Sequence, residues 1–99
     1  MNPAYWIARS KILDEERYME YARQAGSAFQ ALPGHPQMLA RGGRFEILEG
    51  VKTFHRHVLV QYPSFGAALD FYHSEAYQRA ARIRLDGAGV NELVIVEGI

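Results

Sequence analysis

The stretch from His55 to Tyr77, HRHVLVQYPSFGAALDFYHSEAY, decides the fold class of this chain. Alternating side chains over residues 55–62 predict a β-strand whose two faces are both partly covered. Pro63 cannot donate a hydrogen bond to a sheet, and the Ser64 hydroxyl can cap a helix, so the strand ends where a helix begins. A strand that leads straight into a helix favours a mixed α and β domain.

The helix that follows is predicted near residues 64 to 85, with a break in the middle. Ser74 offers a second cap, so the helix restarts or kinks there before the glycines at 87 and 89 end it. Its inner face is predicted to hold Phe65, Ala68, Leu69, Tyr72, Tyr77, Ala81 and Leu85. Three arginines interleaved with alanines are typical of a solvated face: Arg79, Arg82 and Arg84.

The N-terminal third predicts a strand and then a long helix. Tyr5 to Arg9 is a short apolar run, typical of a strand that is buried on both faces. Asp14 can cap a helix, and the negative charges of Glu15 and Glu16 stabilise its first turn. We expect this helix near residues 14 to 32. Its core face is predicted to hold Tyr18, Tyr21, Ala22, Ala25, Phe29 and Leu32, all as packing residues.

The middle of the chain is predicted to form a hairpin. Met38 to Arg41 and Arg44 to Glu49 are short strands on this interpretation, with Gly42 and Gly43 as the turn. Leu93 to Val96 has the character of a last strand. The element order is then β, α, β with a hairpin extension, β, α, β. It predicts an α+β fold, a ferredoxin-like antiparallel sheet with both helices on one face.

The second face of that sheet would have no helix to cover it. His57 and Leu59 are predicted to lie on this face, together with one set of side chains from the first strand. An uncovered apolar face marks an interface or a cavity, and two such faces turned towards each other would close a barrel. We therefore expect a homodimer that encloses a largely apolar cavity lined by the strand of His57.

Composition bounds the classes of protein that the chain can represent. Its 99 residues, 48% of them hydrophobic and 22% charged, suit one soluble globular domain over residues 1–99. Eleven basic residues balance eleven acidic ones, so we expect neither a nucleic-acid nor a membrane partner. Without cysteine, disulfides and thiol chemistry are excluded. No signal peptide is recognisable, and the expected location is the cytoplasm.

Several spaced strings resemble one family, the domain of unknown function 1330, within the dimeric α/β-barrel superfamily. They are YWIAR from Tyr5, LARGGRFEILEG from Leu39, YPSF from Tyr62, YHSEAYQ from Tyr72 and LVIVEG from Leu93. The resemblance spans nearly the whole chain and implies a ferredoxin-like protomer that pairs sheet to sheet as a homodimer. Where the family usually has an acidic residue before the aromatic-proline-serine break, this chain has Gln61.

Two histidines form the most suggestive chemical pattern. His55 and His57 lie two residues apart, on one side of a strand, where imidazoles can ligate a metal or pass a proton. A metal needs further ligands, and no signature spacing connects His35, His73 or Glu49 to the pair. We therefore predict no metal site and no cofactor. Of the two histidines, His57 is the stronger candidate for ligand contact and for general acid–base work.

Three other residues complete the set of candidates. Arg41 can form a forked pair with a ligand carboxylate or, more simply, with Glu49 across the hairpin. Trp6 can form an aromatic wall of a ligand site or pack in the core, and Arg9 can bind an anionic group. The sequence from Gly42 to Arg44 has no lysine-serine continuation, so it is not a phosphate loop and nucleotide binding is rejected.

Three classes of function remain open from the sequence. The first is a cofactor-free enzyme that binds a small organic molecule in the cavity of the barrel and polarises it with His57. The second is a binding or sensor module that has the same cavity and no turnover. The third is a structural homodimer whose sheet face is filled by its partner, which leaves no cavity.

Overall fold

The chain forms an antiparallel sheet with helices on one face. In the computed structural model, which describes residues 2–34 and 36–99, the strands are β1 (Ala4–Ile12), β2 (Gln37–Arg41), β3 (Arg56–Tyr62) and β4 (Gly89–Glu97). The helices are α1 (Glu15–Gln30), α2 (Phe65–His73) and α3 (Glu75–Ile83), and a wider turn, Arg84–Ala88, leads into β4. The strand order β2-β3-β1-β4 is that of a ferredoxin-like sheet, so the predicted fold class is confirmed.

The register of the central strand separates two sets of side chains. Trp6 lies opposite Val60 of β3 and Ile95 of β4, and these three side chains share the face that carries the helices. Ile7 lies opposite Leu59 and Val94 on the other face. Because neighbours along a strand point to opposite faces, the register fixes the placement of every β1 side chain.

The core lies between the sheet and the helices, and aromatic rings dominate it. Trp6 is 5% exposed, and its ring centroid is 5.6 Å from that of Phe71 and 5.1 Å from that of Tyr77. From α1, the side chains packed against this cluster include Tyr21, Ala25 and Phe29, as the spacing of that helix predicts.

No helix in the described part of the chain covers the second face of the sheet, which we call the open face. Four of its apolar side chains are 43–52% exposed: Ile7 of β1 with Val90, Val94 and Val96 of β4. His57 and Leu59 also belong to it, as predicted. The prediction that the first strand is buried on both faces is wrong for the single chain, because its odd-numbered residues face away from the helices.

The helices begin at the residues that the sequence predicts. Asp14 accepts a hydrogen bond from the Arg17 amide at 3.1 Å, and Ser64 accepts one from the Ala67 amide at the same distance. The Ser74 hydroxyl donates to the Phe71 carbonyl oxygen at 2.7 Å and accepts from the Tyr77 amide at 3.2 Å. Ser74 therefore ends α2 and begins α3, which confirms the break.

The predicted hairpin is wrong. Residues from Arg44 to Glu49 form no strand, and β2 pairs with β3 instead. Residue 39 is an extra residue in β2, because Met38 lies opposite Val60 while Ala40 lies opposite Leu59. This β-bulge lets Met38 and Arg41 share the helical face although they lie three positions apart in the strand.

The predicted inner face of the second helical segment is also wrong for three side chains, which are exposed. Leu85 is 67% exposed because the wider turn after α3 rotates it away from the core. Phe65 and Leu69 are 39% and 36% exposed, and the buried face of α2 consists of Ala68, as predicted, and Phe71. Within the part of the chain that the structure describes, no helix is long and apolar enough to cross a lipid bilayer.

Replacement of Ser74 tests the double cap. Ser74→Ala removes the acceptor for the Tyr77 amide, so we expect the free energy of unfolding to fall by about 1 kcal/mol. Ser27→Ala, at an exposed position within α1, is the matched control and is expected to change stability by less than about 0.5 kcal/mol. Urea denaturation measures both. Equal stabilities of the two variants would contradict the capping role of Ser74.

Candidate ligand cavity

A cavity of about 470 Å³ lies on the helical face of the sheet, between α1 and the strands. Its volume is within the range of sites that hold small organic molecules. The even-numbered residues of β1 and β3 provide its floor, and one side of α1 provides its roof. Small residues of the helix, Ala22, Ala25 and Gly26, line this roof and leave the space open.

Apolar and aromatic side chains form most of the wall. The aromatic rings that line the cavity are those of Trp6, Tyr18, Tyr21, Phe29, Tyr62, Phe71 and Tyr77. The Phe29 and Tyr62 rings are nearly perpendicular, with centroids 6.5 Å apart. A wall of this kind accommodates a flat apolar body by burial and ring contacts.

Three arginines also line the cavity, and no carboxylate from residues 2–34 or 36–99 does. Arg23 forms an ion pair with Glu20 on α1. Among the described residues, Arg41 of β2 and Arg56 of β3 have no carboxylate within ion-pair distance. The chain carries no net charge, so this positive charge is local to the cavity.

The absence of a side chain at Gly42 leaves room for the Arg56 guanidinium group. A Cβ atom at residue 42 would lie 2.5 Å from Arg56 Nη1, and the backbone there has a φ of +64°. Glycine adopts this conformation at little cost, whereas a larger residue would be strained and would displace the guanidinium group. On its other side, the Arg56 guanidinium carbon is 5.9 Å from the centroid of the Tyr18 ring.

Two tyrosines of the wall are bonded to each other and to a buried arginine. The Tyr21 and Tyr77 hydroxyl oxygens are 3.0 Å apart, and Arg84 Nη2 is 3.4 Å from the Tyr77 oxygen. Arg84 is only 5% exposed, and its guanidinium carbon is 5.3 Å from the centroid of the Tyr21 ring. Burial raises the pKa of Tyr21 far above its ordinary value, so its hydroxyl stays protonated.

A polar corner lies at the β4 side of the cavity. The Tyr18 hydroxyl donates a hydrogen bond to Ser10 Oγ at 2.9 Å, and Ser10 lies opposite Asn91. The Asn91 side-chain oxygen is buried and has no hydrogen-bond partner among the described residues. Because a buried polar atom is costly when it has no partner, Asn91 is a candidate for contact with a ligand.

The five residues that the sequence singles out as candidates are not brought together. Trp6 and Arg41 line the cavity. His57 and Arg9 lie opposite each other on the open face, across the sheet from it. His55 accepts a hydrogen bond at Nε2 from the Ile12 amide at 3.3 Å, and its own amide donates to the Ser10 carbonyl oxygen.

His57 and Arg9 have aromatic neighbours on their own side of the sheet. The His57 and Phe45 ring centroids are 4.7 Å apart, and His57 Nδ1 is buried without a partner among residues 2–34 and 36–99. Arg9 Nε donates to Glu92 at 2.8 Å, and its guanidinium carbon is 4.6 Å from the centroid of the Phe54 ring. The acid–base role of His57 stays a prediction.

No group of three or more metal-ligating side chains is present among the described residues. His35 was one of the distant candidates for a metal ligand, and it lies outside the described part of the chain. Nothing in the geometry of His55 and His57 adds a third ligand, since the two residues have different neighbours. The prediction that the protein has no metal site stays a prediction.

Sequence reasoning missed most of the polar groups of the cavity. The helical spacing predicts Tyr21 only as a packing residue, and no predicted site includes Arg56. Arg84 was assigned to a solvated face with Arg79 and Arg82, which is wrong, because it is almost completely buried. Its spacing from Tyr77 and Ala81, seven and three residues, places the three on one helical face and was the available signal.

Fold and site together define a ferredoxin-like α+β protein with an aromatic cavity and arginines at its rim. The chain belongs to the family described as domain of unknown function (DUF1330), whose model matches residues 3–99. The predicted family is therefore confirmed. No curated protein matches the chain.

Several solved structures resemble the chain in fold at low sequence identity. A protein of unknown function from Rhodopseudomonas palustris is 18% identical, with a TM-score of 0.75 over 99% of this chain and 83% of that one. A dimeric ferredoxin-like protein of unknown function from Jannaschia sp. CCS1 is 16% identical, with a TM-score of 0.77 over 96% and 98%. SnoaB, a cofactor-independent oxygenase from Streptomyces nogalater, is 12% identical, with a TM-score of 0.64 over 96% and 91%.

The tyrosines of the cavity predict how stability changes in alkaline solution. Burial raises the pKa of Tyr62 and of Tyr21, whereas a tyrosine of the unfolded chain ionises near pH ~10. The folded state then holds more protons than the unfolded state above this pH, so stability falls as the pH rises further. We expect a weaker fall for Tyr62→Phe, measured by urea denaturation between about pH 9 and 12. Parallel curves for the variant and the natural chain would contradict the assignment.

Proposed function

We propose that the protein binds a small, flat organic anion in the cavity between α1 and the sheet. The observation that carries this proposal is the combination of aromatic walls with three arginines and no carboxylate among the lining residues. The apolar wall favours the body of the ligand, and the arginines favour its charge. A carboxylate suits them best, because a guanidinium group can donate two parallel hydrogen bonds to its oxygens.

Arg41 and Arg56 are the residues that bind the charge. They come from neighbouring strands, since Arg41 pairs with Val58 two residues along from Arg56. Arg23, by contrast, is engaged by Glu20. Gly42 supports the proposal, because a Cβ atom at residue 42 would lie 2.5 Å from Arg56 Nη1 and so occupy space that the guanidinium group uses.

The bound molecule is either held without reaction or converted without a cofactor. SnoaB, which shares the fold, is a cofactor-independent oxygenase, and this supports conversion as the second candidate function. Because SnoaB is only 12% identical to this chain, the likeness shows a shared fold and assigns no role to any residue. Chromatographic assay of each bound compound for consumption in air distinguishes conversion from simple binding.

A comparison of aromatic acids with their amides tests the proposed binding. We expect benzoate or 2-naphthoate to bind at least tenfold more tightly than benzamide or 2-naphthamide, because charge-assisted hydrogen bonds from arginine contribute about 1.5–3 kcal/mol. In the double variant Arg41→Met, Arg56→Met, this preference is expected to disappear. Titration calorimetry measures all four affinities.

Arg79→Met is the matched control for the loss of an arginine. Arg79 pairs with Glu75 on the surface of α3 and does not line the cavity, so its replacement is expected to leave the affinities unchanged. If none of the acids binds at millimolar concentration, or if the double variant retains the preference for acids, the proposed function is wrong.

We further propose that the open face is covered by a second copy of the chain. Ile7 and Val94 lie side by side on it, 43% and 52% exposed, and none of the described helices and strands of one copy covers them. Similar proteins from Jannaschia sp. CCS1 and Bacteroides fragilis are described as dimeric, which supports this occupant. Two identical faces related by a twofold axis satisfy each other.

The homodimer would create a second space in which His57 could contact a ligand. In a single chain, His57 is separated from the cavity by the sheet, so a ligand at His57 would occupy a second space enclosed by the two copies. Phe45, which contacts His57, and the neighbouring Leu48 are 44% and 83% exposed. These apolar side chains of the β2–β3 connection extend the open face towards a partner.

A charged residue on the open face tests the dimer. Light scattering of the natural chain at micromolar concentration is expected to give about twice the chain mass of 11.2 kDa. Val94→Glu places two carboxylates between the copies and is expected to give the single-chain mass. Leu85→Glu, at an exposed position beyond α3, is expected to stay dimeric. A monomeric natural chain, or a dimeric Val94→Glu variant, would contradict the proposal.

A further inference from the structure

Arg84 is a buried cation without a carboxylate partner. It is 5% exposed, and within residues 2–34 and 36–99 its side chain makes one hydrogen bond, from Nη2 to the Tyr77 hydroxyl oxygen. Its Nε has no partner in the same residues. Uncompensated charges inside proteins are strongly destabilising, so a cation retained in this position calls for negative charge nearby in some state of the protein.

The tyrosine pair connects this cation to the cavity. Arg84 lies behind the wall, whereas Tyr77 and Tyr21 both line it. A guanidinium nitrogen can only donate, so Tyr77 accepts from Arg84 and its own hydrogen is free to bond to the Tyr21 oxygen 3.0 Å away. The Tyr21 hydrogen then has no acceptor among the described residues. Each donor in such a chain polarises the next.

We propose that Arg84, Tyr77 and Tyr21 form a donor chain that presents the Tyr21 hydroxyl to a phenolate or enolate oxygen of the ligand. This inference rests on the proposed function and narrows its ligand to an aromatic acid that also carries an ionisable phenol or enol oxygen. The chain supplies no base: the Tyr21 hydroxyl keeps its proton and stabilises the oxyanion by donating a hydrogen bond. Tyr77 and Arg84 act as positioning residues.

Burial keeps the Tyr21 hydroxyl protonated. Because the pKa of Tyr21 is raised by burial, Tyr21 remains a donor throughout the range in which a phenol of the ligand ionises. The positive charge of Arg84 reaches the ligand through two hydroxyl groups whose rings pack together, with centroids 6.4 Å apart, beside the buried guanidinium group. Such a charge acts more strongly than it would in solution.

The probe is 4-hydroxy-3-nitrobenzoate, whose carboxylate suits the rim arginines and whose phenol changes its visible absorbance when it ionises. The quantity measured is the pKa of the bound phenol, from absorbance against pH with the protein in excess. Calorimetry measures its binding separately. We expect the natural protein to lower the pKa of the bound phenol by at least about one unit, which is a tenfold preference for the phenolate.

The variants separate a donor chain from simple packing. Tyr21→Phe is expected to abolish the lowered pKa, and Tyr77→Phe to lose most of it although the proposed hydrogen bond to the phenol comes from Tyr21. Arg84→Met is expected to act like Tyr77→Phe, and Arg84→Lys, which keeps the charge, to restore part of the shift. Tyr72→Phe, outside the cavity lining, is the control and is expected to leave the shift unchanged.

Each outcome decides between the inference and the proposed function. If the probe binds and its pKa is not lowered, or if Tyr77→Phe leaves the shift intact, the donor chain is wrong while binding at the rim stands. If the probe does not bind at millimolar concentration while benzoate or 2-naphthoate does, the inference is wrong and the proposed function stands. If none of these acids binds, both are wrong. Where Arg84→Met does not fold, the Tyr77→Phe result decides, because it removes one oxygen from the network.

Discussion

The contact between the Trp6 indole and the aromatic rings of the helices is the interaction on which the rest of the molecule depends. Its ring centroid lies within 5.1–6.1 Å of those of Tyr62, Phe71, Tyr72 and Tyr77. Because Trp6 is on the central strand, this cluster fixes which face of the sheet the helices cover. The same ring lines the cavity, so the core and the candidate site share one wall.

Much of the fold could be predicted because its local signals agree with its tertiary structure. Asp14, Ser64 and Ser74 are capping residues by type and by geometry. The prediction of a hairpin after Met38 is wrong, because a pair of glycines also suits a turn that leads out of a sheet. Here Gly42 has a positive φ and gives its amide to the His57 carbonyl oxygen, after which the chain leaves the sheet.

The site was harder to predict than the fold. Strand periodicity shows which side chains share a face of the sheet, but it does not show which face borders a cavity. It placed His57 and Leu59 correctly on the face without helices. A cavity beneath α1 depends on the small volume of Ala22 and Gly26 opposite Val58, which no single segment reveals. Arg84 was misjudged for a related reason, because arginine is rarely buried and a bland surface role was the ordinary expectation.

The extra residue in β2 makes this short strand unusually intolerant of changes in length. Arg41 reaches the helical side only because residue 39 shifts the pairing with β3 by one position. Removal of that one residue would restore a regular ladder and turn the guanidinium group to the opposite side of the sheet, with the composition of the rest of the molecule unchanged. Among homologues, insertions and deletions should therefore accumulate in the connection after Gly42 and be excluded from the five residues before it.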